Sequence, residues 1–295
     1  MTLQKNETLP SCRAGLVALV LLCVASVHAQ TLGSEGAPTR SILLQPVGTT
    51  PGAAPVGPAP IRAIELYGSH SNLTAGYPDW REAGLRGSWQ AGPHLFQGEL
   101  ASVKRWGVSG TYLGLGDTYT FDEDWHGSLA VGAGDGAHYL PRYRVDGFVH
   151  RKLLPARNLV ADLGAGYYRA PDGHTDRNLS IGATYYFPEM PLVLQGQVRF
   201  TNGSPGSVDT RQHFVAATWG RVKETTLTGR FGWGEEGYQS IGRNAALIQF
   251  RSRELSLAVR HWISKDWGVA VGGEHYRNPF YKRSGVTVGL FWQTP

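Results

Sequence analysis

From about residue 61 to the end, apolar and polar residues alternate with a period of two over segments of about ten residues. Leu159, Ala161, Leu163, Ala165 and Tyr167 alternate with Val160, Asp162, Gly164, Gly166 and Tyr168. Leu179, Ile181 and Ala183 alternate with Asn178, Ser180 and Gly182, and Val286, Val288, Leu290 and Trp292 with Gly285, Thr287, Gly289 and Phe291. Strands in soluble sandwiches run about five or six residues. A tilted strand of about ten crosses the core of a bilayer. One greasy face and one wet face, repeated at that length, describe a membrane barrel with lipid outside and a polar interior. Closure follows, because an open sheet edge in lipid leaves backbone groups unpaired.

Fourteen segments read as strands: 61–70, 82–90, 94–104, 106–116, 125–134, 142–152, 158–168, 176–187, 191–201, 211–221, 225–234, 253–263, 266–276 and 283–292. Tight connections such as 91–93, 188–190, 222–224 and 264–265 alternate with longer ones at 71–81, 135–141, 202–210 and 235–252. Outer-membrane barrels have short periplasmic turns and longer external loops, so an even count with both termini periplasmic is expected. The turn near Arg105 is too short and the connection 117–124 too long for this rule. A miscount there leaves twelve strands as the alternative. Trp80, Trp106, Trp125, Trp233, Trp262, Trp267 and Trp292 fall at segment ends, where interfacial girdles sit.

The N-terminus reads as an export signal. Lys5 and Arg13 precede an apolar run from Ala14 to Val27, and cleavage is expected after Ala29. About fourteen apolar residues fall short of the roughly 20 that a spanning helix needs. Cys12 and Cys23 both lie in the removed segment, so the mature chain has no thiol and no disulfide framework. Removal of Lys5, Arg13 and Glu7 leaves 26 basic against 22 acidic residues, a charge of +4 that does not argue for nucleic acid. Residues 30–60 are rich in Pro, Gly and Ala and read as a disordered periplasmic leader. The domain plan is a signal at 1–29, that leader at 30–60 and a barrel at 61–295.

Several motifs resemble the YaiO family of outer-membrane β-barrel proteins. They run Gly116 to Trp125 (GDTYTFDEDW), Leu140 to Asp146 (LPRYRVD), Leu163 to Tyr168 (LGAGYY), Asp172 to Arg177 (DGHTDR), Gly229 to Gly234 (GRFGWG) and Glu274 to Val286 (EHYRNPFYKRSGV). The resemblance is carried from about Leu115 to the end and is weak over the first hairpins. It implies an outer-membrane barrel and brings no catalytic residues; some relatives are associated with exopolysaccharide export. The last segment also resembles the terminal strand that barrel assembly machinery reads, through Arg283, Gly285, Val288, Leu290, Phe291 and Trp292. It departs at Gln293-Thr294-Pro295, beyond the aromatic end.

No nucleophile elbow, Walker loop or H-E-x-x-H motif occurs, and the histidines lack metal-ligand spacing. Ser69 and His70 stand together, but neighbours in a strand point to opposite faces. Asp122-Glu123-Asp124 and Asp172 to Asp176 are acidic connections, read as solvated turns rather than cation sites. No enzyme activity, metal or cofactor is expected. By parity, Arg144, Asp146, His150, Asp162, Gln195, Gln197, Arg199, Arg230, Glu254, Arg260 and Glu274 face the lumen. Charges on the lipid face would cost about 2–4 kcal/mol at mid-depth, which favours this register. Three functions stay open: a narrow channel for transport or export of saccharides, a non-conducting structural or surface-interaction barrel, and a barrel hydrolase. The expected partners are outer-membrane lipid, the assembly machinery and a saccharide.

Overall fold

A computed structural model describes residues 62–294. The export signal and the whole of the leader lie outside the described residues. The chain forms fourteen strands and no helix among them: β1 (Arg62–Leu73), β2 (Trp80–Ala91), β3 (His94–Arg105), β4 (Val108–Thr120), β5 (Trp125–Gly134), β6 (Tyr143–Leu153) and β7 (Leu159–Arg169). They continue with β8 (Thr175–Tyr186), β9 (Leu192–Ser204), β10 (Val208–Gly220), β11 (Thr225–Gly242), β12 (Ala245–Trp262), β13 (Trp267–Arg277) and β14 (Lys282–Thr294). Each pairs antiparallel with its chain neighbours, and β1 pairs with β14 from Arg62↔Thr294 to Leu73↔Arg283. The sheet is a closed barrel of fourteen strands, so no edge remains open within the described residues.

The alternation sets the two faces of the wall. Ile64, Leu66 and Leu85 are 46, 58 and 43% exposed, while the charged neighbours Glu65 and Arg86 are 0 and 2% exposed. Hydrophobic side chains point out and charges point in, the reverse of a soluble protein. The inner face also carries aromatics laid across glycines of the next strand. A Cβ on Gly84 would stand 2.6 Å from the Tyr67 hydroxyl, so only glycine leaves room for that ring. Phe148 covers Gly164 in the same way.

Five features differ from the sequence expectation. The connection 235–252 is not a loop. It is the end of a long hairpin in which β11 and β12 each run 18 residues and turn at 243–244. The connection 202–210 shrinks likewise to 205–207 between β9 and β10. β4 runs on to Thr120, which leaves a short turn where 117–124 reads as a loop. The abrupt turn after Arg105 is a two-residue one, with Trp106 and Gly107 both at positive φ, 52° and 78°. That is the pattern of a type I′ hairpin turn, whose twist matches the strands it joins. The length asymmetry between the two ends therefore rests on the loops 74–79 and 135–142 and on the β11–β12 hairpin, not on every connection.

The fifth difference concerns tryptophan. Trp80, Trp106 and Trp262 are buried, at 4, 8 and 5% exposure, and belong to apolar clusters rather than to an outer girdle. Trp80 and Trp262 stand on the inward parity of β2 and β12, alongside Glu82 and Arg260. Proximity to a strand end does not fix the face. Trp125 and Trp292 are exposed, at 38 and 44%.

Candidate functional site in the barrel interior

The interior is divided between an ion-paired half and a sparser half. In the first, β1–β3 bring together Tyr67, Glu82, Arg86, Glu99 and Arg105. The Tyr67 hydroxyl donates to Glu82 (2.7 Å) and to Glu99 (2.9 Å), Arg86 Nε donates to Glu99 (2.6 Å), and the Arg86 guanidinium lies 3.7 Å over the Tyr67 ring. Arg105 is 3.8 Å from Glu82 and stacks at 4.6 Å over Trp80. Toward the end that carries the termini, Arg260 donates to Glu65 (2.7 Å) with its guanidinium 3.4 Å over Phe291. Toward the distal end, Arg283 reaches Glu274 at 2.9 Å and Glu254 at 3.5 Å, and Arg230 meets Glu254 at 3.2 Å. These charges are desolvated, and carboxylate–guanidinium pairing is what makes such burial tolerable.

The second half, β5–β10, has fewer charges. Arg144 pairs with Asp146 at 2.5 Å. His126 and His150 stack at 4.5 Å between ring centres, and His150 lies 3.6 Å from Asp162. Gln195, Gln197 and Arg199 stand on the same inner face of β9, and Arg199 Nε donates to Ser180 (3.3 Å). Arg199 and Gln212 are direct cross-strand neighbours, and Arg230 lies one strand further on, in β11. Arg199 Nη2, Gln212 Nε2 and Arg230 Nη2 are buried and find no partner in the protein. Beside Arg199, a cavity of about 10 Å³ lined by Arg144, Asp146, Asp176 and Asn178 has the size of one water.

All eleven residues picked by parity thus stand on the inner wall, but they do not form one site. Glu254, Glu274, Arg230 and Arg260 belong to the ion-paired half. Arg144, Asp146, His150, Asp162, Gln195, Gln197 and Arg199 belong to the other. Glu65, Glu82, Arg86, Glu99, Arg105 and Arg283 escaped the sequence reading. The same alternation, applied to Ile64–Glu65–Leu66 and Leu85–Arg86, carries the signal that finds them.

The distal mouth is covered. Residues 235–242 and 245–252 pair only with each other. At about 3.3 Å per residue this hairpin extends about 25 Å, close to the roughly 28 Å width of a fourteen-stranded barrel. It reaches loops on several sides of the rim. Tyr238 donates to Pro205 O and packs against His174. Gln239 meets Asn278 and Tyr281, and Ser240 lies 2.9 Å from His138 in the loop 135–142. Ile241 and Leu247 rest on an apolar cluster that includes Trp80, Trp106, Tyr139, Leu140 and Tyr281. Burial pushes the Tyr139 phenol up to about 12, and it donates to Val103 O (2.7 Å) and Val108 O (3.1 Å). Burial, aided by Arg243, pulls His138 below the usual imidazole range.

The remaining constellations lie apart from these interior groups. His70 Nε2 lies 2.9 Å from Asn72 Oδ1, on the face opposite Ser69. Asp122 accepts from the amides of Asp124 and Trp125, while Glu123 and Asp124 pair with Arg157. No group of three or more metal-ligating side chains occurs among the described residues.

Among solved structures the fold is similar to a monoaromatic hydrocarbon channel, CymD, with a TM-score of 0.54, 7% identity and coverage of 80% of this chain and 88% of that one. It is similar to the toluene transporter TbuX of Ralstonia pickettii, with a TM-score of 0.52, 8% identity and coverage of 81 and 90%. A bacterial polysaccharide outer membrane secretin aligns with a TM-score of 0.50, 9% identity and coverage of 79 and 98%. At these identities the likeness concerns the fold alone, that of an outer-membrane β-barrel. No curated protein matches in sequence. The family model described as the YaiO membrane beta barrel domain matches residues 61–239. That span takes in the first hairpins, where the motifs are weak, and stops inside β11, short of Glu274 to Val286. On this match, which covers more than half of its length, the chain belongs to the YaiO membrane β-barrel family.

Proposed function

We propose that this barrel is a narrow, gated channel for hydrophilic solutes of the saccharide class, and that the β11–β12 hairpin covers its outer mouth in the resting state. The observation that carries the reading is a set of buried donors without partners in the protein on three successive strands, Arg199 Nη2 and Gln212 Nε2 in the sparser half and Arg230 Nη2 on β11 at its border with the ion-paired half. A buried donor left unpaired costs about 1–3 kcal/mol, so a solute oxygen that pairs with these donors gains that much there. A passing hydroxyl or carboxylate supplies the missing acceptor, and a guanidinium fork suits a carboxylate or sulfate. The hydrocarbon named for two of the fold neighbours fits this wall poorly, since an apolar solute would leave the donors and ion pairs unsolvated. A polysaccharide is named for the third.

The test is conductance in planar bilayers of the full chain and of a variant with residues 237–247 replaced by a short Gly-Ser turn. The wild type should be nearly silent, and the variant should conduct and be blocked more strongly by acidic than by neutral oligosaccharides. Silence of both proteins, each shown to be folded, would reject the channel. It would favour the second reading, a non-conducting barrel that presents its hairpin at the surface. The observation behind that reading is the burial of interior charges such as Glu65, Arg86 and Arg199.

A further inference from the structure

We propose that the outer wall of β12, β13 and β14 docks the phosphate groups of a phosphorylated glycolipid in the outer leaflet. Arg253 stands directly opposite Arg277 across β12–β13, and Arg277 directly opposite Lys282 across β13–β14. All three are exposed and on the outward parity, and none makes an ion pair. Directly opposed like charges destabilise a sheet, so an unbroken row of three cations points to an anion held outside the chain.

The acidic groups near the row are already engaged. Glu235 lies 3.5 Å from Arg251 on β12, and Asp79, in the β1–β2 loop, lies 3.6 Å from His70. Glu254, Glu274 and their partner Arg283 are on the inner face of the same strands, separated from the row by the wall. A second opposed pair, Arg81 and Lys104, continues the pattern across β2–β3 at the same end.

The row's height selects a lipid over a soluble anion. Two residues below Arg253 on the same face begin Leu255, Leu257 and Val259, and below Lys282, after Ser284, come Val286 and Val288. Exposed at 39 to 60%, these apolar side chains form the lipid-facing band. At about 3.3 Å per residue, the cations sit about 7–13 Å above that band, at the level of headgroups. Long loops and the extended hairpin lie at this end, which is the external one in outer-membrane barrels.

Native mass spectrometry of the full chain in detergent tests the idea, with three probes: lipid A carrying two phosphates, dephosphorylated lipid A, and phosphatidylcholine. The wild type should retain the bis-phosphorylated lipid at least tenfold better than either other lipid. The triple variant R253S/R277S/K282S should lose that margin, while R62S at the opposite end keeps it. Millimolar inorganic phosphate should not displace the lipid. Equal retention by the triple variant, or equal retention of the dephosphorylated lipid, overturns the proposal. Displacement by inorganic phosphate alone also overturns it, by reassigning the row to free phosphate. Heat-modifiable migration confirms that each variant is folded, and R277S alone replaces the triple variant if that one is not.

Discussion

The two faces of one wall handle charge in opposite ways. Inside, the arginines of the ion-paired half each lie against a carboxylate: Arg86 with Glu99, Arg260 with Glu65, and Arg283 between Glu254 and Glu274. Outside, Arg253, Arg277 and Lys282 stand in line with none. The same residue type is therefore a structural element on one face and an open valence on the other. The difference is desolvation. A buried cation without its anion is costly, whereas a cation at a wet rim is screened and can wait for a partner.

The largest expected effect tests the inner face. Glu65→Ala strands Arg260 in the interior and should lower the unfolding free energy in lipid vesicles by about 3 kcal/mol, read from urea midpoints. Arg277→Ser on the outer face should shift the same midpoint by no more than about 0.5 kcal/mol. Equal effects would end the distinction. Next comes Gly84→Ala, which drives a methyl into the Tyr67 ring and disturbs its bonds to Glu82 and Glu99. A loss of about 1–3 kcal/mol is expected, and Gly68→Ala on the outward face of β1, where the added Cβ would meet nothing closer than 3.8 Å, should introduce no comparable clash.

A smaller effect concerns the hairpin. The folded state holds His138 below its ordinary range, so it favours the neutral ring. The contact with Ser240 is fully present above about pH 6.5, the unfolded value, and weakens as pH falls toward the lower folded value. Tryptic cleavage at the exposed tip residue Arg243 should quicken between pH 7 and pH 5.5, and His138→Gln should flatten that dependence. The smallest effect is at Asp122, whose pKa is lowered by bonds from the amides of Asp124 and Trp125. Its contribution is present above the usual carboxylate range and is lost as pH drops below about 4. Asp122→Ala should lower the midpoint slightly at neutral pH and leave it unchanged in strong acid, which flattens the acid limb of the stability profile.

Much of the wall was legible because a period of two is local: Leu163 beside Asp162 reveals its face without knowledge of any partner. The pairing was not. Whether Glu254 meets Arg230 or Arg283 depends on register among three strands, and Glu65 meets Arg260 only through closure of the ring. The hairpin escaped for a different reason. Gly234, Gly237 and Gly242 interrupt the alternation of β11, and beyond the bilayer no lipid enforces it, so the segment reads as a loop. Trp80, Trp106 and Trp262 were misplaced because aromatic identity at a strand end says nothing of orientation.

Closure by β1 and β14 has a kinetic consequence. Every other seam of the cylinder joins neighbours in sequence and can zip as a local hairpin. This one unites the first described strand with the last, the slowest kind of search a chain can face. Until it is made, both margins of the sheet expose unpaired amides and carbonyls, a ready template for aggregation. The final strand must therefore arrive before any of the assembly is safe, and truncation within β14 should trap the chain in an aggregation-prone open form instead of yielding a slightly weaker cylinder.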